Sequence, residues 1–313
     1  MNPAVFVTFR LPPELQALHA APYTLHLGDG SAPQLPLAVR EQVRAIVTNG
    51  IRGAERALID SFPRLELIAS LGIGLDAIDL AAAQARGIRV TNTPGVVADD
   101  VADLAMAMIV DRLRAVRDAN AFLLRGDWLR GPFPLARSLT GRRLGIVGLG
   151  AIGTAVAARA AAFRMHVAWH GPRPKPDVSL PYCADLAALA GDVDVLVVTC
   201  AGGRATHHLV DARVLGALGP EGVLVNVARG SIVDTAALIE ALEQRRIAGA
   251  ALDVFEDQPR VPEALQRSDR VLLTPHLGTA TRETRARMGA MVLASLADHF
   301  AGRVPLNLVL PAG

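Results

Sequence analysis

The stretch from Arg142 to Phe163, RRLGIVGLGAIGTAVAARAAAF, decides the fold of this chain. It opens with a short apolar run of strand length and closes with an alanine-rich segment of high helix propensity. Between them, Gly148, Gly150 and Gly153 have G-x-G-x-x-G spacing, and a second strand-like run follows at 165–169. This order of strand, glycine turn, helix and strand is the context that a dinucleotide-binding turn requires.

Each glycine of this turn has its own physical purpose. Gly148 allows the tight turn, Gly150 allows a pyrophosphate to approach the backbone, and Gly153 allows the helix and the strand to pack closely. The alternative is a structural strand–helix turn without a ligand, because glycine-rich turns are common. The second strand favours the dinucleotide site.

The composition indicates a globular α/β protein with more than one domain. A chain of 313 residues is long for a single core. Hydrophobic residues make up 51% and charged residues 20%, so the chain can bury a large interior and is not a disordered protein. The formal net charge is +2 and no long basic run occurs, which argues against a nucleic-acid partner.

The cysteines and the hydropathy pattern predict a cytoplasmic protein. Cys183 and Cys200 are the only cysteines, and they form neither a disulfide framework nor a zinc-binding spacing. No metal site is predicted. The first residues contain no charged segment followed by an apolar signal core, and no apolar run reaches about 18 residues. We therefore expect a cytoplasmic location and no membrane partner.

The first 98 residues alternate short strands with segments of helical length. Strands are predicted at 5–9, 23–27, 45–48, 67–70 and 89–92, and a helix is predicted from Pro12 to Leu18. This alternation predicts a small parallel α/β unit. The turn Leu71-Gly72-Ile73-Gly74 follows the fourth strand. Its glycines bring the backbone close either to a packed helix or to a ligand, and local features do not decide between the two.

Residues 99–124 carry apolar side chains at helical spacing. Asp99 and Asp100 near the start and the arginines further on complement the helix dipole, so one long helix is predicted here as the link between domains. The segment 126–140, with Trp128 and Phe133, is predicted to be an exposed arm. It contacts a partner subunit or packs on its own domain.

Residues 141–280 repeat the alternation of strands and helices. Further strands are predicted at 193–199, 223–227, 250–254 and 271–274. Ligands bind at the carboxyl ends of such parallel strands, so the residues directly after them matter. These are 228–230, 253–258 and 275–276. A helix at 283–297 and an extended piece at 305–309 are predicted to return the chain to the first domain.

The end of the second strand of the dinucleotide unit predicts which cofactor binds. An NAD-selective site has an acidic residue there, whereas this chain has His170-Gly171-Pro172-Arg173, with no carboxylate before Asp177. Without that acid, nothing repels a 2′-phosphate, and Arg173 or Lys175 can form a charge-assisted bond to it. We predict a preference for NADP(H), with NAD(H) as the second cofactor. The alternative is that Arg173 is only a solvated loop charge.

Three polar groups follow successive strands: Arg229, the run 253–259, and His276. Reduction of a 2-keto acid needs a fixed cation for the carboxylate and the ketone, and the guanidinium of arginine provides one. It also needs an acid that protonates the developing alkoxide, for which histidine is suited near neutral pH. A third group must orient that histidine. Each residue alone has a structural explanation, but their joint placement favours catalysis.

Six motifs in order resemble the D-isomer-specific 2-hydroxyacid dehydrogenases over nearly the whole chain. They are GIGLDAID at 72–79, TPGVVADDVAD at 93–103, GLGAIG at 148–153, NVARGSIVD at 226–234, ALDVFEDQP at 251–259 and TPHLGTAT at 274–281. Within this family, the chain is most similar to the glyoxylate/hydroxypyruvate and hydroxyphenylpyruvate reductases.

The resemblance implies a fold of two Rossmann-like parallel-sheet domains with the active site in the cleft between them. A flavodoxin-like substrate domain is expected at 1–98 and 283–313, and a dinucleotide-binding Rossmann domain at 99–282 is expected to be inserted into it. A homodimer through the arm at 120–140 is also implied. The partners are then a small 2-keto or 2-hydroxy acid and a second copy of the chain.

The resemblance also assigns roles to single residues. Arg229 is expected to hold the substrate carboxylate and ketone, His276 to donate the proton, and Gln258 to be the third catalytic residue. The backbone of Leu71, Gly72, Ile73 and Gly74 is expected to bind the substrate with Arg229, and Asp253 to bond the nicotinamide carboxamide. The expected cofactor-binding residues are Val101, Gly148, Leu149, Gly150, Ala151, Ile152, Gly153, His170, Gly171, Arg173, Cys200, Ala201, Gly202, Thr206, Val227, Ala228, Asp253, His276 and Gly278.

Gln258 departs from the family, which usually has a glutamate at this position. A carboxylate beside a histidine stabilises imidazolium, whereas glutamine can orient the ring but supplies no charge. The related formate dehydrogenases resemble this pattern, but they are longer at the N-terminus, so we do not favour that activity. Our hypothesis is a working enzyme whose reduction rate falls at a lower pH than that of a Gln258→Glu variant.

Three functions are consistent with these residues. The first is an NADPH-dependent glyoxylate or hydroxypyruvate reductase. The second is a reductase of bulkier 2-keto acids, such as hydroxyphenylpyruvate or a branched-chain keto acid, with Leu71, Ile73, Trp128 and Phe133 expected to set the pocket size. The third is a catalytically silent dinucleotide-binding sensor, which the loss of the glutamate suggests and the retention of Arg229 and His276 opposes.

Overall fold

The computed structural model describes residues 2–28 and 35–309. The chain divides into two compact units. Unit 1 comprises Met1–Val97 and Ala280–Gly313, and unit 2 comprises Ala98–Thr279.

The first eleven strands of the described residues begin and end within two residues of the predicted positions. They are β1 (Ala4–Val7), β2 (Thr24–Leu27), β3 (Val43–Asn49), β4 (Leu67–Leu71), β5 (Arg89–Thr91), β6 (Arg143–Val147), β7 (His166–His170), β8 (Val195–Val198), β9 (Val223–Asn226), β10 (Gly249–Leu252), β11 (Val271–Leu273) and β12 (Leu308–Val309).

The α-helices of the described residues are α1 (Leu37–Arg40), α2 (Arg56–Asp60), α3 (Leu80–Ala85), α4 (Ala98–Arg114), α5 (Val116–Leu124), α6 (Ala151–Ala162), α7 (Leu186–Gly191), α8 (Ala212–Leu218), α9 (Thr235–Glu243), α10 (Glu263–Arg267) and α11 (Arg282–Phe300). Short 3₁₀ helices cover Pro13–His19, Asp127–Leu129, Arg204–Thr206 and Gly230–Ile232. The helix predicted from Pro12 to Leu18 is therefore of the 3₁₀ type.

Unit 1 contains a six-stranded sheet in the order β12-β5-β4-β3-β1-β2. Its first five strands are parallel in the order β2-β1-β3-β4-β5, which is the flavodoxin-like winding that we predicted. The extended piece at the end of the chain is β12, which pairs antiparallel with β5 and so corrects the expectation of a wholly parallel sheet.

Both faces of the unit 1 sheet are buried, because its strands alternate between two cores. Phe6, Ile46 and Ile68 point to one core, and Val5, Val47 and Leu67 point to the other. The second core is closed by α11 through Met288, Val292 and Leu296. This arrangement explains why α11 belongs to unit 1 although it lies near the end of the chain.

Unit 2 contains a six-stranded parallel sheet in the order β11-β10-β9-β8-β6-β7. A single parallel bridge from Trp169 to Tyr182 adds a further segment beside β7. With that segment counted as the third strand, the order follows the Rossmann winding, and β11 extends it. The connections reverse direction between β6 and β8, which is where such sheets bind ligands.

The helix predicted over 99–124 is wrong in one respect, because it is broken at Ala115. Ala115 has a left-handed φ of 52°, and α5 begins directly after it. The Asp111 carboxylate accepts a hydrogen bond from the backbone N–H of Arg117 at 2.7 Å, so it satisfies an amide of the first turn of α5. This side-chain bond favours two helices over one, and it is invisible to an apolar periodicity that continues through the break.

The arm at 126–140 is partly exposed and partly packed on its own unit. The ring of Phe133 meets Phe122 of α5 edge to face, with centroids 5.3 Å apart. Trp128, Leu129 and Leu135 are exposed. None of the described helices is both long enough and apolar enough to span a membrane.

Candidate active site

The glycine turn after β6 has two packed glycines and one open glycine. Gly148 has a φ of +94°, and a Cβ on it would lie 2.5 Å from the Cα of Cys200. A Cβ on Gly153 would lie 2.3 Å from the carbonyl oxygen of Gly148. Apart from its own chain neighbours, no atom of the described residues would lie within 4 Å of a Cβ on Gly150. Gly148 and Gly153 are thus required by the chain itself, whereas the space over Gly150 is open to a ligand.

This turn is held rigidly, and it leaves a helix N-terminus for an anion. Thr199 donates its hydroxyl to the Gly148 carbonyl at 2.6 Å, and the Gly148 N–H donates to the His170 carbonyl at 2.8 Å. Gly150 is the N-cap of α6, and no side chain of the described residues caps that end. Ala151 and Ile152 form the first turn, whose N–H groups attract negative charge. The open cradle and the uncapped helix fit the pyrophosphate of a dinucleotide.

The end of β7 is basic and lacks an acid. His170 is the last residue of β7, and its Nδ1 lies 3.0 Å from the Cys183 carbonyl oxygen. The side chains of Arg173 and Lys175 are exposed beyond it. Lys175 folds back and donates from Nζ to the Leu149 carbonyl at 2.6 Å, which brings a positive charge to the glycine turn itself.

The loop after β8 closes on itself beside the glycine turn. Thr206 donates its hydroxyl to the Ala201 carbonyl at 2.8 Å, which encloses Gly202. Cys200 is half-buried against Gly148, and burial raises the pKa of its thiol to about 11. The thiol therefore stays protonated near neutral pH and acts as a small apolar group.

The segment that carries Arg229 is fixed by a buried asparagine at the end of β9. Asn226 accepts from the Ala228 N–H at 3.0 Å and donates from Nδ2 to the Arg229 carbonyl at 2.9 Å. A Cβ on Gly230 would lie 1.9 Å from the backbone carbon of Phe255, so only glycine fits there. Arg229 itself is half-buried and donates from Nη1 to the Ala228 carbonyl at 2.8 Å. Val227 is buried beneath this turn.

Asp253, after β10, builds the loop that carries His276. Its buried carboxylate accepts from the Thr274 hydroxyl at 2.6 Å, from the Leu277 N–H at 2.7 Å and from the Gly278 N–H at 2.9 Å. The His276 N–H donates to the Asp253 carbonyl at 2.9 Å. A carboxylate offers about four lone-pair sites, so one site on Oδ2 is left by these three bonds.

Val101 lies beside Asp253 and Gly278. A Cβ on Gly278 would lie 3.3 Å from both the Val101 side chain and Asp253 Oδ2. Any larger residue at 278 would crowd these two side chains. The fold thus brings together three residues that are far apart in the sequence and that the resemblance assigned to the cofactor.

His276 and Gln258 face each other. The two amide atoms of Gln258, Nε2 and Oε1, lie 3.2 and 3.3 Å from His276 Nδ1. Gln258 can therefore accept the Nδ1–H proton or donate to an unprotonated Nδ1, depending on how its amide is turned. His276 has a φ of +54°, a conformation that the surrounding loop imposes on it.

The turn at 71–74 in unit 1 is held open by two polar side chains. Gly72 exchanges hydrogen bonds with Thr93: its N–H donates to the hydroxyl at 3.1 Å, and its carbonyl accepts the Thr93 N–H at 3.0 Å. Asn92 donates to the Ile73 carbonyl at 3.0 Å. Gly72 has a φ of +137°, and no described atom lies within 4 Å of a Cβ built on it. A packed helix therefore does not explain this glycine.

The predicted reactive residues of unit 2 follow neighbouring strands. Arg229 follows β9, Asp253 follows β10 and His276 follows β11, and these three strands are adjacent in the sheet. Because the carboxyl ends of parallel strands meet at one edge, all three residues belong to the same edge of unit 2. Leu71, Gly72, Ile73 and Gly74 belong to unit 1.

The family comparison agrees with this arrangement. The family model for the D-isomer-specific 2-hydroxyacid dehydrogenase NAD-binding domain matches residues 106–278, which is more than half of the chain. The chain belongs to this dehydrogenase family. It is accordingly an oxidoreductase that uses a nicotinamide dinucleotide, and the fold of two parallel-sheet α/β domains predicted from the sequence is confirmed.

Relatives of this dehydrogenase cover most of its length. It is 44% identical to glyoxylate/hydroxypyruvate reductase A of Arabidopsis thaliana, over 87% of each chain. It is 43% identical to the hydroxyphenylpyruvate reductase of Plectranthus scutellarioides, over 86% of each chain. A crystal structure of the NADPH-dependent glyoxylate/hydroxypyruvate reductase of Sinorhizobium meliloti, in complex with NADP and malonate, has 39% identity and a TM-score of 0.93; the match covers 99% of this chain and 97% of that one.

Sequence reasoning missed the residues of this dehydrogenase that hold the site together. Most of them are polar residues that lie at the end of an apolar strand or within two residues after it, namely Asn92, Thr93, Thr199, Asn226 and Thr274. A polar side chain that ends a run of buried apolar residues is the signal that could have identified them. Such a residue has to find its hydrogen bonds within the turn that follows.

Proposed function

We propose that this dehydrogenase is an NADPH-preferring 2-keto acid reductase, with glyoxylate or hydroxypyruvate as the substrate. The observation that carries the proposal is the pairing of His276 with Gln258 on the sheet edge that also carries Arg229. An imidazole and a guanidinium are the two groups that a keto acid needs for protonation and for anchoring.

In the proposed reaction, Arg229 donates hydrogen bonds to the substrate carboxylate and to the ketone oxygen, which makes the keto carbon more electrophilic. When bound, the reduced dinucleotide supplies the hydride that this carbon accepts. His276 gives the proton on Nε2 to the ketone oxygen, so the product is a 2-hydroxy acid. Gln258 accepts the Nδ1–H through Oε1 and thereby keeps the other ring nitrogen as the proton donor.

The turn at 71–74 is proposed to bind the substrate carboxylate through backbone N–H groups. The open space around Gly72 and its fixed backbone support this role. Because Gly72 has a φ of +137°, a Gly72→Ala change strains the turn and adds a methyl group where the ligand is expected. We expect the KM for the keto acid to rise in this variant, with the dissociation constant for NADPH unchanged.

NADPH preference is proposed from the basic end of β7. Arg173 and Lys175 supply two positive charges near the position where a 2′-phosphate is expected, and no acidic residue lies between the end of β7 and Asp177. The Sinorhizobium meliloti relative, which is NADPH-dependent, supports this choice.

The cofactor proposal is tested by kinetics with both dinucleotides. Loss of a charge-assisted bond costs about tenfold or more, so Arg173→Ala should lower kcat/KM for NADPH and leave that for NADH unchanged. Arg267→Ala, which removes an exposed arginine of α10, is the matched control. Equal kcat/KM for NADPH and NADH in the parent protein, with no effect of Arg173→Ala on either, contradicts the proposal.

The substrate class is tested by NADPH absorbance with glyoxylate, hydroxypyruvate, phenylpyruvate and 2-ketoisocaproate. We expect the two small acids to give the highest kcat/KM. A preference for phenylpyruvate supports instead the activity of the Plectranthus scutellarioides relative, in which case Leu71 and Ile73 are the first residues to vary. No loss of absorbance with any of the four acids supports the dinucleotide-binding sensor.

A homodimer through the arm is proposed from its exposed apolar residues. Trp128 is 66% exposed, Leu129 94% and Leu135 102%, and such side chains are costly to leave in water. Sedimentation equilibrium should show a dimer that Leu135→Asp dissociates. Leu306→Asp, at an equally exposed position in unit 1, should leave the dimer intact. The predicted cytoplasmic location is tested separately by cell fractionation.

A further inference from the structure

Two histidines and a glutamate of unit 2 converge outside the residues proposed for catalysis and cofactor binding. His207 and His208 follow the 3₁₀ helix Arg204–Thr206, and Glu256 lies in the segment after β10. Glu256 Oε1 lies 2.8 Å from His208 Nε2 and 3.9 Å from His207 Nε2. The potential ligand atoms of the three side chains lie within 4.8 Å of one another.

The geometry of the two rings directs both Nε2 atoms to the same oxygen. The imidazoles of His207 and His208 are stacked, with centroids 3.9 Å apart and 26° between their planes. Tetrahedral coordination at about 2.1 Å places neighbouring ligand atoms about 3.4 Å apart. The observed distances of 2.8 and 3.9 Å lie on either side of this value, so small side-chain rotations suffice to bind one ion.

The surrounding residues support the three side chains. Thr235 donates its hydroxyl to Glu256 Oε2 at 3.0 Å, which leaves Oε1 facing the histidines. Asp234 Oδ2 lies 3.9 Å from His208 Nδ1, which is too far for a hydrogen bond but places a second negative charge beside the ring. The backbone N–H of His208 donates to the Ser231 carbonyl at 2.8 Å, so the loop is attached to the rest of the unit.

We propose that His207, His208 and Glu256 form a binding site for a divalent transition-metal ion, with Zn²⁺ as the best match. Two imidazoles and one carboxylate are a ligand set that Zn²⁺ uses in proteins, whereas Mg²⁺ and Ca²⁺ prefer oxygen ligands alone. Three protein ligands leave a fourth position for water. This proposal differs from the sequence-based prediction of no metal site, because the ligands come from segments 48 residues apart and form no short motif.

A metal ion bound at this site would connect two segments of unit 2. It joins the loop after β8, which includes the expected cofactor residues from Cys200 to Thr206, to the segment after β10, which includes Asp253 and Gln258. A bound ion replaces the hydrogen bond between His208 and Glu256 with two metal bonds and adds His207 to the connection. Metal binding at these three side chains is independent of which keto acid the enzyme reduces.

The test is Zn²⁺ binding to the full-length protein after metal is removed with a chelator and the chelator is dialysed away. Isothermal titration should give one Zn²⁺ per chain. Removal of an outer-shell partner already costs about 10- to 100-fold in metal affinity, so His207→Gln, which removes a ligand, should weaken binding at least tenfold. His207 is exposed, so this variant should fold normally. His166→Gln, which removes an exposed histidine of β7, is the matched control and should bind like the parent.

Cobalt substitution identifies the ligands independently. The Co²⁺ complex should show the visible bands of nitrogen and oxygen coordination, and Glu256→Gln should weaken them as His207→Gln does. Three results overturn the proposal: no binding in the parent protein, equal affinity in the parent and His207→Gln proteins, or the intense near-ultraviolet band of a cobalt–thiolate bond. The last result assigns the ion to Cys183 or Cys200 instead.

Discussion

Replacement of Gln258 by glutamate is the most informative single change in this enzyme, because it alters charge with almost no change in shape. In the parent protein, the amide next to His276 orients the ring but carries no charge. A carboxylate in the same place stabilises the protonated ring. The proposed reduction requires that protonated ring, since its proton is proposed to go to the ketone oxygen.

The size of the effect follows from the distance of 3.3 Å between Gln258 Oε1 and His276 Nδ1. Two unit charges so placed attract each other by about 1.3 kcal/mol at the dielectric constant of water, which corresponds to about one pKa unit. His276 is half-buried, so the effective dielectric constant is lower and the shift is larger. Opposite charges at such distances move pKa values by about 1 to 3 units.

The assay is the pH dependence of kcat/KM for NADPH-dependent reduction of glyoxylate. A carboxylate that raises the pKa of the proton donor keeps the donor protonated to higher pH. The decrease of kcat/KM at alkaline pH should therefore occur about 1 to 2 pH units higher in Gln258→Glu than in the parent protein. The two proteins should agree at pH values below both transitions. Gln84→Glu, on the exposed face of α3, adds the same charge elsewhere and should leave the profile unchanged. Coincident profiles for the parent and Gln258→Glu proteins refute the reasoning.

Three further predictions concern the framework of the site. Gly153→Ala should lower the free energy of unfolding by about 1–3 kcal/mol, because its methyl group overlaps a carbonyl oxygen. Gly150→Ala should lower it by less than about 1 kcal/mol but should weaken dinucleotide binding. Urea unfolding measures the first effect and NADPH fluorescence titration the second, and equal effects of both changes on stability contradict the assignment. Asp253→Asn should destabilise unit 2 by about 1–3 kcal/mol, since an amide nitrogen then faces an N–H donor, whereas Asp192→Asn at an exposed carboxylate should not. The urea midpoints of the two variants measure this difference in stability, and equal midpoints rule out the predicted effect of Asp253→Asn. The Cys200 thiol, with a pKa of about 11, should react slowly with a disulfide reagent at pH 8, at a rate that rises about tenfold per pH unit. Cys200→Ser should remove this slow phase of the reaction, and a single fast phase for both thiols in the folded protein contradicts the prediction.

The parts of the fold that the sequence predicted well have a local physical cause. The central strands of both sheets are buried on two faces and therefore consist of short apolar runs, such as 195–198 and 223–225. The purposes predicted for Gly148 and Gly153 agree with the geometry, because a side chain at either position meets backbone or neighbouring atoms at once. The break at Ala115 was missed because its cause is one side-chain bond from Asp111 to the backbone, which leaves the apolar periodicity unchanged.

The candidate site was predictable only in part, because its supporting contacts join distant segments. Asp253 was assigned to the cofactor, but its three bonds to the loop at 274–278 show that it also shapes the backbone around His276. The contact between Gly230 and Phe255 likewise depends on how β9 and β10 lie side by side. The cluster of His207, His208 and Glu256 has no sequence signal either, since neighbouring histidines acquire a third ligand only through folding.

The proposed proton transfer from His276 is tested most directly by single-turnover oxidation of bound NADPH with saturating glyoxylate in the His276→Gln variant. The rate constant should fall by about 10²- to 10⁴-fold, with the dissociation constant for NADPH close to that of the parent protein. A variant that oxidises NADPH at nearly the parent rate contradicts the role of His276 and, with it, the proposed function.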